Sequence, residues 1–278
     1  MEESGTVRLS FGIFSPGCRR IILAAVLAVL CLPAGIARAS NLQPQTARAF
    51  SRYVEKIEKN LDSRSAGDLP FLQSAEIPGG INRLKVGSEL IRDLNKDDNT
   101  PDGIIHDWLG ARLLKGASVD EVVNLLTDYD SHHRIFPNVV ASELRSRSGN
   151  KLESYLRFKK KKILTVVSDT SHEVTVIPLD PGRVQIFSRS TRIQEVENHG
   201  EADETLLPEG DDHGFLWRMN TYWNIADAED GAIVECRSVT LSRDVPFGLN
   251  LIIDPIIKDM PREQLQSMLN TLESELGK

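Results

Sequence analysis

Alternating hydrophobic and polar residues, separated by turn residues, run through most of the second half of the chain. Gly149-Asn150, Asp180-Pro181-Gly182 and Asp230-Gly231 are typical tight turns, in which glycine supplies the positive φ. The pattern predicts seven strands: 104–115, 138–148, 151–167, 173–177, 183–196, 215–226 and 232–243. Because short turns join successive strands, the pattern favours an antiparallel sheet.

Helical spacing appears before, within and after this region. Residues 46–61 carry apolar side chains at intervals of three and four. Ser118 and Glu121 have the spacing of a capping box that opens a helix, and a second short helix ends at Pro137. A last helix begins at Pro261, and its apolar stripe is Leu265, Met268, Leu269, Leu272 and Leu276. We expect this helix to cover one face of the sheet.

The first 39 residues have the pattern of an export signal. Arg19-Arg20 precede the apolar run 21–32, and Ala37-Arg38-Ala39 form an A-x-A site before Ser40. As a helix the run spans only ~18 Å, against the ~30 Å of a bilayer interior. The sequence predicts a cleaved signal peptide and a periplasmic or extracellular protein, with a retained anchor as the alternative.

Composition narrows the class of protein. The 278 residues are 40% hydrophobic and 26% charged, which is typical of a globular chain. The net charge of −7 argues against nucleic acid as a partner. Cys18 and Cys31 fall in the leader, so the mature chain keeps only Cys236 and forms no internal disulfide.

The turn-rich sequence at 95–103 (NKDDNTPDG) suggests a boundary. We therefore predict a signal peptide at 1–39, an N-terminal extension at 40–102 that packs on the main domain, and that domain at 103–278.

Three phrases carry a family resemblance: SVDEVV at 118–123, LTDYD at 126–130 and FPNVV at 136–140. With the order of elements, they resemble the START-like superfamily, which includes START lipid-transfer domains, coenzyme Q-binding proteins, polyketide cyclase-like proteins and Bet v 1-type allergens. The resemblance covers about 103–278. It implies an α+β helix-grip fold, a curved seven-stranded antiparallel sheet around the long C-terminal helix, with an internal cavity for an apolar ligand.

Strand alternation suggests which residues line that cavity. In the strand 215–226, Trp217, Met219, Thr221 and Trp223 share one face. The next strand presents small residues on one face, among them Val234 and Cys236. We expect these side chains to line a hollow, since ligand sites are apolar concavities; the alternative is that the indoles fill a solid core.

The other faces of these strands are polar. Arg189, Arg218, Tyr222 and Glu235 lie in mid-strand, either on a solvated face or in a cavity where an Arg218–Glu235 pair orients a ligand head group. The sequence does not say which face is inside.

Catalytic and metal signals are few. His106, beside Asp107, is the one candidate for proton transfer, and Cys236 is expected to be a structural thiol. His132-His133 are expected to be exposed, and Asp211-Asp212-His213 is only a minor metal signal. Since the chain has none of the usual metal or nucleotide motifs, we predict no metal site and no cofactor.

Lysines occupy positions 159–162 within a strand pattern. They either protect a sheet edge or contact anionic lipid head groups, which would give a transient membrane-surface contact.

We therefore expect an exported binding or transfer protein that encloses a hydrophobic small molecule, such as a lipid or isoprenoid, with residues 246–260 or the last helix moving as a lid. The alternatives are a cyclase- or hydrolase-type enzyme that uses the same cavity with His106 or Tyr222, and a structural module of the envelope with no ligand.

Overall fold

Long antiparallel strands dominate the computed structural model, which describes residues 40–95, 100–161, 164–244 and 259–277. The strands are β1 (Ser40–Asn41), β2 (Leu90–Asp93), β3 (Gly103–Lys115), β4 (Val139–Ser148), β5 (Lys151–Lys161), β6 (Thr165–Asp180), β7 (Arg183–Glu197), β8 (Thr205–Leu206), β9 (Asp211–Asp212), β10 (Arg218–Ala228) and β11 (Gly231–Arg243). The helices are α1 (Pro44–Ala66), α2 (Gly80–Lys85), α3 (Val119–Thr127), α4 (His132–Ile135) and α5 (Met260–Leu276), with a 3-10 turn at Gln73–Glu76. The predicted leader and most of the predicted lid lie outside the described residues.

The main sheet has the order β2-β3-β11-β10-β7-β6-β5-β4, and every neighbouring pair is antiparallel. The α+β class is confirmed, and the seven predicted strands correspond to β3 to β7, β10 and β11, although the predicted strand 173–177 is only part of β6. The sheet also gains an edge strand, β2, from the N-terminal extension, and the short β8 pairs with β7. The predicted count therefore missed the extension's contribution to the sheet.

The boundary between β5 and β6 was predicted wrongly. β5 ends at Lys161, and β6 is continuous from Thr165 to Asp180, through the stretch that the sequence suggested was a turn. Ser168, Thr170 and His172 are polar but buried on one face of β6. Polar side chains that have partners inside the fold can be buried in a strand. In the sequence, however, they look like the polar residues of a loop.

The C-terminal helix α5 packs on one face of the sheet, which we call the concave face. Leu265, Leu269 and Leu272 are buried there, as their spacing predicts. Gly110 of β3 lies beneath them, where a Cβ atom would come within 2.8 Å of Leu269 Cδ1. Glycine therefore lets the helix approach the strand closely. The predicted capping box of Ser118 and Glu121 is also confirmed at the start of α3.

Polar contacts fix the middle and the C-terminal end of α5. The guanidinium of Arg112 on β3 forms ion pairs with Glu273 on α5 and with Glu89, the latter at 3.1 Å. Gln266 of α5 donates to the same Glu89 carboxylate at 2.5 Å. These contacts hold the helix to both the sheet and the extension.

The helix α1 covers part of the opposite face, which we call the convex face. Phe50, Ile57 and Leu61 form a buried cluster with Trp217 and Tyr222, among other sheet residues. This face is therefore not simply solvated, although it carries many charged and polar side chains. No described helix is long and apolar enough to cross a bilayer.

Two ion-paired groups lie between α1 and the convex face. Asp107 accepts hydrogen bonds from Arg237 Nε at 2.9 Å and Nη2 at 2.6 Å, and from the Tyr53 hydroxyl at 2.7 Å. Glu58 accepts from Arg189 Nε at 2.6 Å and from the Tyr222 hydroxyl at 2.9 Å. Asp107, Arg237 and Arg189 of the sheet thus each have a partner from the extension or from a neighbouring strand.

Glu235 is another deeply buried charged group, with 1% of its surface exposed. Its carboxylate accepts from the backbone N–H groups of Gln73 at 2.9 Å and Ser74 at 2.7 Å, and from Asn224 Nδ2 at 3.3 Å. Burial raises the pKa of this carboxyl group, and the two backbone N–H groups act in the opposite direction. The 3-10 turn of the extension is therefore bound directly to the centre of the sheet.

We expect Glu235→Ala to destabilise the fold by about 3 kcal/mol, because it leaves buried N–H donors without an acceptor and opens a cavity. Glu235→Gln keeps the volume and one acceptor and should cost about 1 kcal/mol. Urea unfolding measures both. Glu229→Ala, at an exposed turn of the same hairpin, is the control and should stay within about 0.5 kcal/mol of the parent. Equal losses in Glu235→Ala and Glu229→Ala would contradict this role.

Candidate functional site

Two adjoining hollows lie between the concave face and α5. The inner hollow has a volume of about 90 Å³, and residues from α3 to α5 and from strands β4 to β7, β10 and β11 line it. Its lining is Leu126, Tyr129, His132, Phe136, Val139, Leu156, Phe158, His172, Ser188, Met219, Thr221, Trp223, Ser238, Gln264, Leu265 and Met268. Because strands from β4 to β11 surround one helix, the sheet curves around α5.

The outer hollow, of about 100 Å³, lies beside the first turn of α5. It shares Phe158, Met219, Ser238 and Gln264 with the inner hollow. The rest of its lining is His106, Asn138, Lys159, Lys160, Phe215, Leu216, Thr240, Met260 and Pro261. A single ligand could therefore occupy both hollows.

A directed chain of hydrogen bonds lies at the β6–β7 side of the inner hollow. The Thr170 hydroxyl donates to the Leu156 carbonyl at 3.0 Å, so it accepts from His172 Nε2 at 3.0 Å. The Ser188 hydroxyl lies 3.3 Å from His172 Nδ1 and donates to it. Burial lowers the pKa of His172 to about 4, so the imidazole is neutral at physiological pH.

A second histidine borders the same hollow, contrary to the expectation that it is exposed. His132 lies between the rings of Tyr129 and Phe136, with its Nε2 3.1 Å from the Leu125 carbonyl oxygen. Burial lowers the pKa of His132 and raises that of Tyr129 to about 12. Both groups are neutral at physiological pH, whereas His133 is exposed as predicted.

The outer hollow has polar groups at its rim. His106 is buried, with its Nε2 3.1 Å from Ser242 Oγ. Lys160 forms an ion pair with Glu263 at 3.4 Å, and Asn138 Nδ2 donates to Gln264 Oε1 at 2.8 Å. These contacts join the first turns of α5 to β5 and to the start of β4. Of the four predicted lysines, Lys162 lies outside the described residues.

Three of the predicted cavity residues line the inner hollow: Met219, Thr221 and Trp223. Val234 and Cys236 belong to the same core cluster as Trp223 and are fully buried, but they do not line either hollow. Burial strongly raises the pKa of the Cys236 thiol, which makes it a poor nucleophile.

Trp217 was assigned to the wrong face. It precedes β10, and its Nε1 donates to Asp212 Oδ1 at 3.0 Å, which draws the indole into the convex-face cluster with Phe50 and Tyr222. Strand alternation does not apply to a residue outside the strand. The Asp212 carboxylate also accepts from the Gly214 N–H, and the described residues contain no cluster of three metal-ligating side chains.

The polar residues predicted as a head-group site also lie away from the hollows. Glu235, Arg189 and Tyr222 bind the N-terminal extension on the convex face, so Tyr222 is not placed to act in the cavity. Arg218 donates to Glu209 at 3.1 Å and to the Trp217 carbonyl at 2.7 Å, and the predicted Arg218–Glu235 pair does not form. The extension supplies partners for Glu235, Arg189 and Tyr222. The Arg218–Glu235 pair fails because Glu235 lies opposite Asn224 in the strand pairing, whereas Arg218 lies opposite Leu241.

The sequence analysis did not identify several residues that line the hollows, notably Phe158, His172, Ser188, Gln264 and Met268. Even-numbered positions of β5 to β7 do alternate inward, so the strand pattern could have found the first three. The misplaced boundary between β5 and β6 left only His172 outside a predicted strand; Phe158 and Ser188 lie in predicted strands, whose inward positions were not followed. Gln264 and Met268 could have been found from their position on the first turns of the last helix.

A third concavity, an open groove of about 450 Å³, lies where α1 meets the convex face. Arg52, Lys56 and Arg237 contribute to its wall. Arg237 is already paired with Asp107, and Arg52 and Lys56 are exposed. The groove is therefore much more polar and open than the two hollows.

Comparisons with known proteins add three similar solved structures. No protein-family model and no curated protein sequence matches the chain. A STAR-related lipid transfer protein fragment from Xanthomonas axonopodis is 20% identical, with 66% of this chain and 96% of that chain covered and a TM-score of 0.43. A Streptomyces aromatase/cyclase is 14% identical, with 67% and 94% covered and a TM-score of 0.38. Human STARD10 is 11% identical, with 74% and 84% covered and a TM-score of 0.36.

These likenesses are too distant to carry an inference about ligand or activity. The fold is evident in the chain itself: α3 and α4 lie between β3 and β4, the antiparallel sheet follows, and α5 packs on its concave face. With this order of elements, and with the last helix packed on the concave face, the chain has an α+β helix-grip fold.

Proposed function

We propose that this protein binds a small hydrophobic molecule in the inner and outer hollows, without chemical turnover. The observation that carries the proposal is the pair of adjoining hollows between the sheet and α5. Both walls present mainly apolar surface. The polar groups of the inner hollow are neutral, and the outer hollow also has Lys159 and Lys160 at its rim; an apolar concavity with a few polar groups is the usual character of a ligand site. Apolar burial would supply the affinity, at about 25 cal/mol per Å².

The size of the hollows limits the ligand. A dry cavity of roughly 150 Å³ is enough to hold benzene, and the hollows measure about 90 and 100 Å³. A single ring or a short chain that spans both is therefore the best match to this state. A larger lipid or isoprenoid would require the first turns of α5 to move away from the sheet.

The attachment of α5 supports such a movement. Its middle and C-terminal end are held by Glu89, by the close packing of Leu265 and Leu269 on Gly110, and by Arg112. Its first turns border the outer hollow and are held there by Lys160–Glu263 and Asn138–Gln264. We infer that entry occurs at the N-terminal end of α5. The part of the predicted lid before residue 259 lies outside the described residues.

Contact with a membrane surface remains a prediction. Lys159, Lys160 and Lys161 lie at the end of β5 beside the outer hollow, and Leu164 after the turn is 42% exposed. A basic strand end near the entrance would suit delivery of an apolar ligand from an anionic lipid surface.

We expect toluene to bind the parent protein and Ser238→Leu to abolish that binding. Ser238 borders both hollows, so a larger apolar side chain there occupies the space that the ligand needs. Amide chemical shifts near Met219, Thr221 and Trp223 report binding during a titration. Ser148→Leu, at an exposed position of β4, is the matched control and should bind as the parent does. If toluene shifts no residue of the hollows, and no apolar molecule is found by native mass spectrometry of the gently purified protein, the proposed function is wrong.

The neutral His172 makes stability depend on pH. Its pKa is about 4 in the folded chain, against about 6.5 when unfolded, so the unfolded chain binds more protons between these values. Stability should therefore fall as the pH decreases from about 6.5, with a loss of about 3 kcal/mol from this residue by pH 4. His172→Asn should flatten the slope of the unfolding free energy against pH.

The exposed His133→Asn is the control and should leave that slope unchanged. The measurement is urea unfolding at several pH values from 7 to 4, in which the slope matters rather than the absolute stability. An identical slope in the parent and in His172→Asn would contradict a neutral, buried imidazole.

We also propose that the protein is exported and that cleavage occurs before Ser40. The intact mass of the protein from the exported fraction should correspond to residues 40–278. Ala39→Leu should block cleavage, because the small residue before the cut is required, while Ala24→Leu within the apolar run should not. An exported protein that still carries residues 1–39 would instead support the retained anchor.

A further inference from the structure

Three hydroxyl side chains lie side by side on the concave face, and we call them the hydroxyl strip: Thr221, Ser238 and Thr240. Thr221 of β10 is the direct cross-strand partner of Ser238 on β11, and Thr240 follows two residues later on the same face. Thr221 lines the inner hollow, Thr240 the outer, and Ser238 both. The strip therefore runs along the wall that the two hollows share.

The strip lacks internal hydrogen-bond partners. Thr240 is 6% exposed, and its Oγ1 has no partner within the described part of the chain. The side chains of Thr221 and Ser238 also make no hydrogen bond to any described residue, although only the Thr240 oxygen of the strip is both fully buried and unpaired. A buried hydroxyl without a partner is unfavourable, so an oxygen atom of a ligand would satisfy a group that the fold leaves unsatisfied.

The charges near the strip favour an uncharged ligand. Within the inner hollow, His132 and His172 are neutral, and its described lining has no lysine, arginine or carboxylate. At the outer hollow, Lys160 is paired with Glu263, and Lys159 is exposed to solvent. A buried carboxylate would need an unpaired cation beside it, whereas a hydroxyl or carbonyl oxygen needs only a hydrogen bond.

We propose that the hydroxyl strip binds the oxygen of an uncharged alcohol, phenol or carbonyl compound whose apolar part fills the inner hollow. This assignment rests on the proposed function and specifies the ligand class for the same site. It also sets the ligand's orientation, since the oxygen lies on the β10–β11 wall and not at His172.

The test compares phenol with toluene, in which a methyl group replaces the hydroxyl, and with benzoate, which is charged. NMR titration gives a dissociation constant for each. In Thr240→Val and in Ser238→Ala, phenol binding should weaken about fivefold relative to toluene, the loss of one hydrogen bond. Thr240→Ser keeps the hydroxyl, so it should keep the parent's ratio of phenol affinity to toluene affinity. The exposed Thr205→Val should keep this ratio as well. Benzoate should bind at least tenfold more weakly than phenol to the parent.

The outcomes separate this inference from the proposed function. If no probe binds the parent, the proposed function itself fails. If toluene and phenol bind but both strip variants keep the parent ratio, or benzoate binds as well as phenol, the inference alone fails. If only Ser188→Ala changes the ratio of phenol affinity to toluene affinity, the ligand oxygen lies at the His172 end, and the inference is also wrong. Thermal melting shows that each variant is folded before its binding is compared.

Discussion

Burial of the concave face and of the central part of the convex face of one antiparallel sheet is the constraint on which the rest of the molecule depends. The concave face is covered by α3, α4 and α5, and the central part of the convex face by the N-terminal extension. A charged side chain in such a sheet is costly unless it is paired and fully hydrogen bonded. Glu235, Asp107 and Arg237 meet this requirement only because the extension supplies Gln73, Ser74 and Tyr53.

The same constraint gives the two faces different chemistry. The ion pairs of the convex face hold the extension in place and take no part in the hollows. The inner hollow of the concave face keeps neutral polar groups, namely hydroxyls and the uncharged His132 and His172, among apolar side chains. An apolar ligand with an oxygen atom suits this side, whereas a charged head group would find no unpaired partner in the inner hollow. Gly110 lets one part of α5 pack close to the sheet, whereas the first turns of the helix border the outer hollow.

Local patterns predicted most of the elements, because each depends on a few neighbouring residues. The capping box at Ser118, the leucine stripe of α5 and the inward positions of Met219, Thr221 and Trp223 needed only helical spacing or strand alternation. The failures have equally local causes. The polar, buried residues of β6 were interpreted as a turn. The alternation of β10 was applied to Trp217, which lies just before that strand.

By itself, the sequence determined the order of the elements, the α+β class and which residues of each strand share a face. It did not determine which face encloses the hollows, since both faces of β10 and β11 mix large and polar side chains. Only the tertiary structure decided this, by placing α1 and the 3-10 turn against Glu235 and Tyr222, and α5 against Trp223 and Met219. The physical reason is that the cost of burying a polar group depends on partners supplied from more than 150 residues away along the chain.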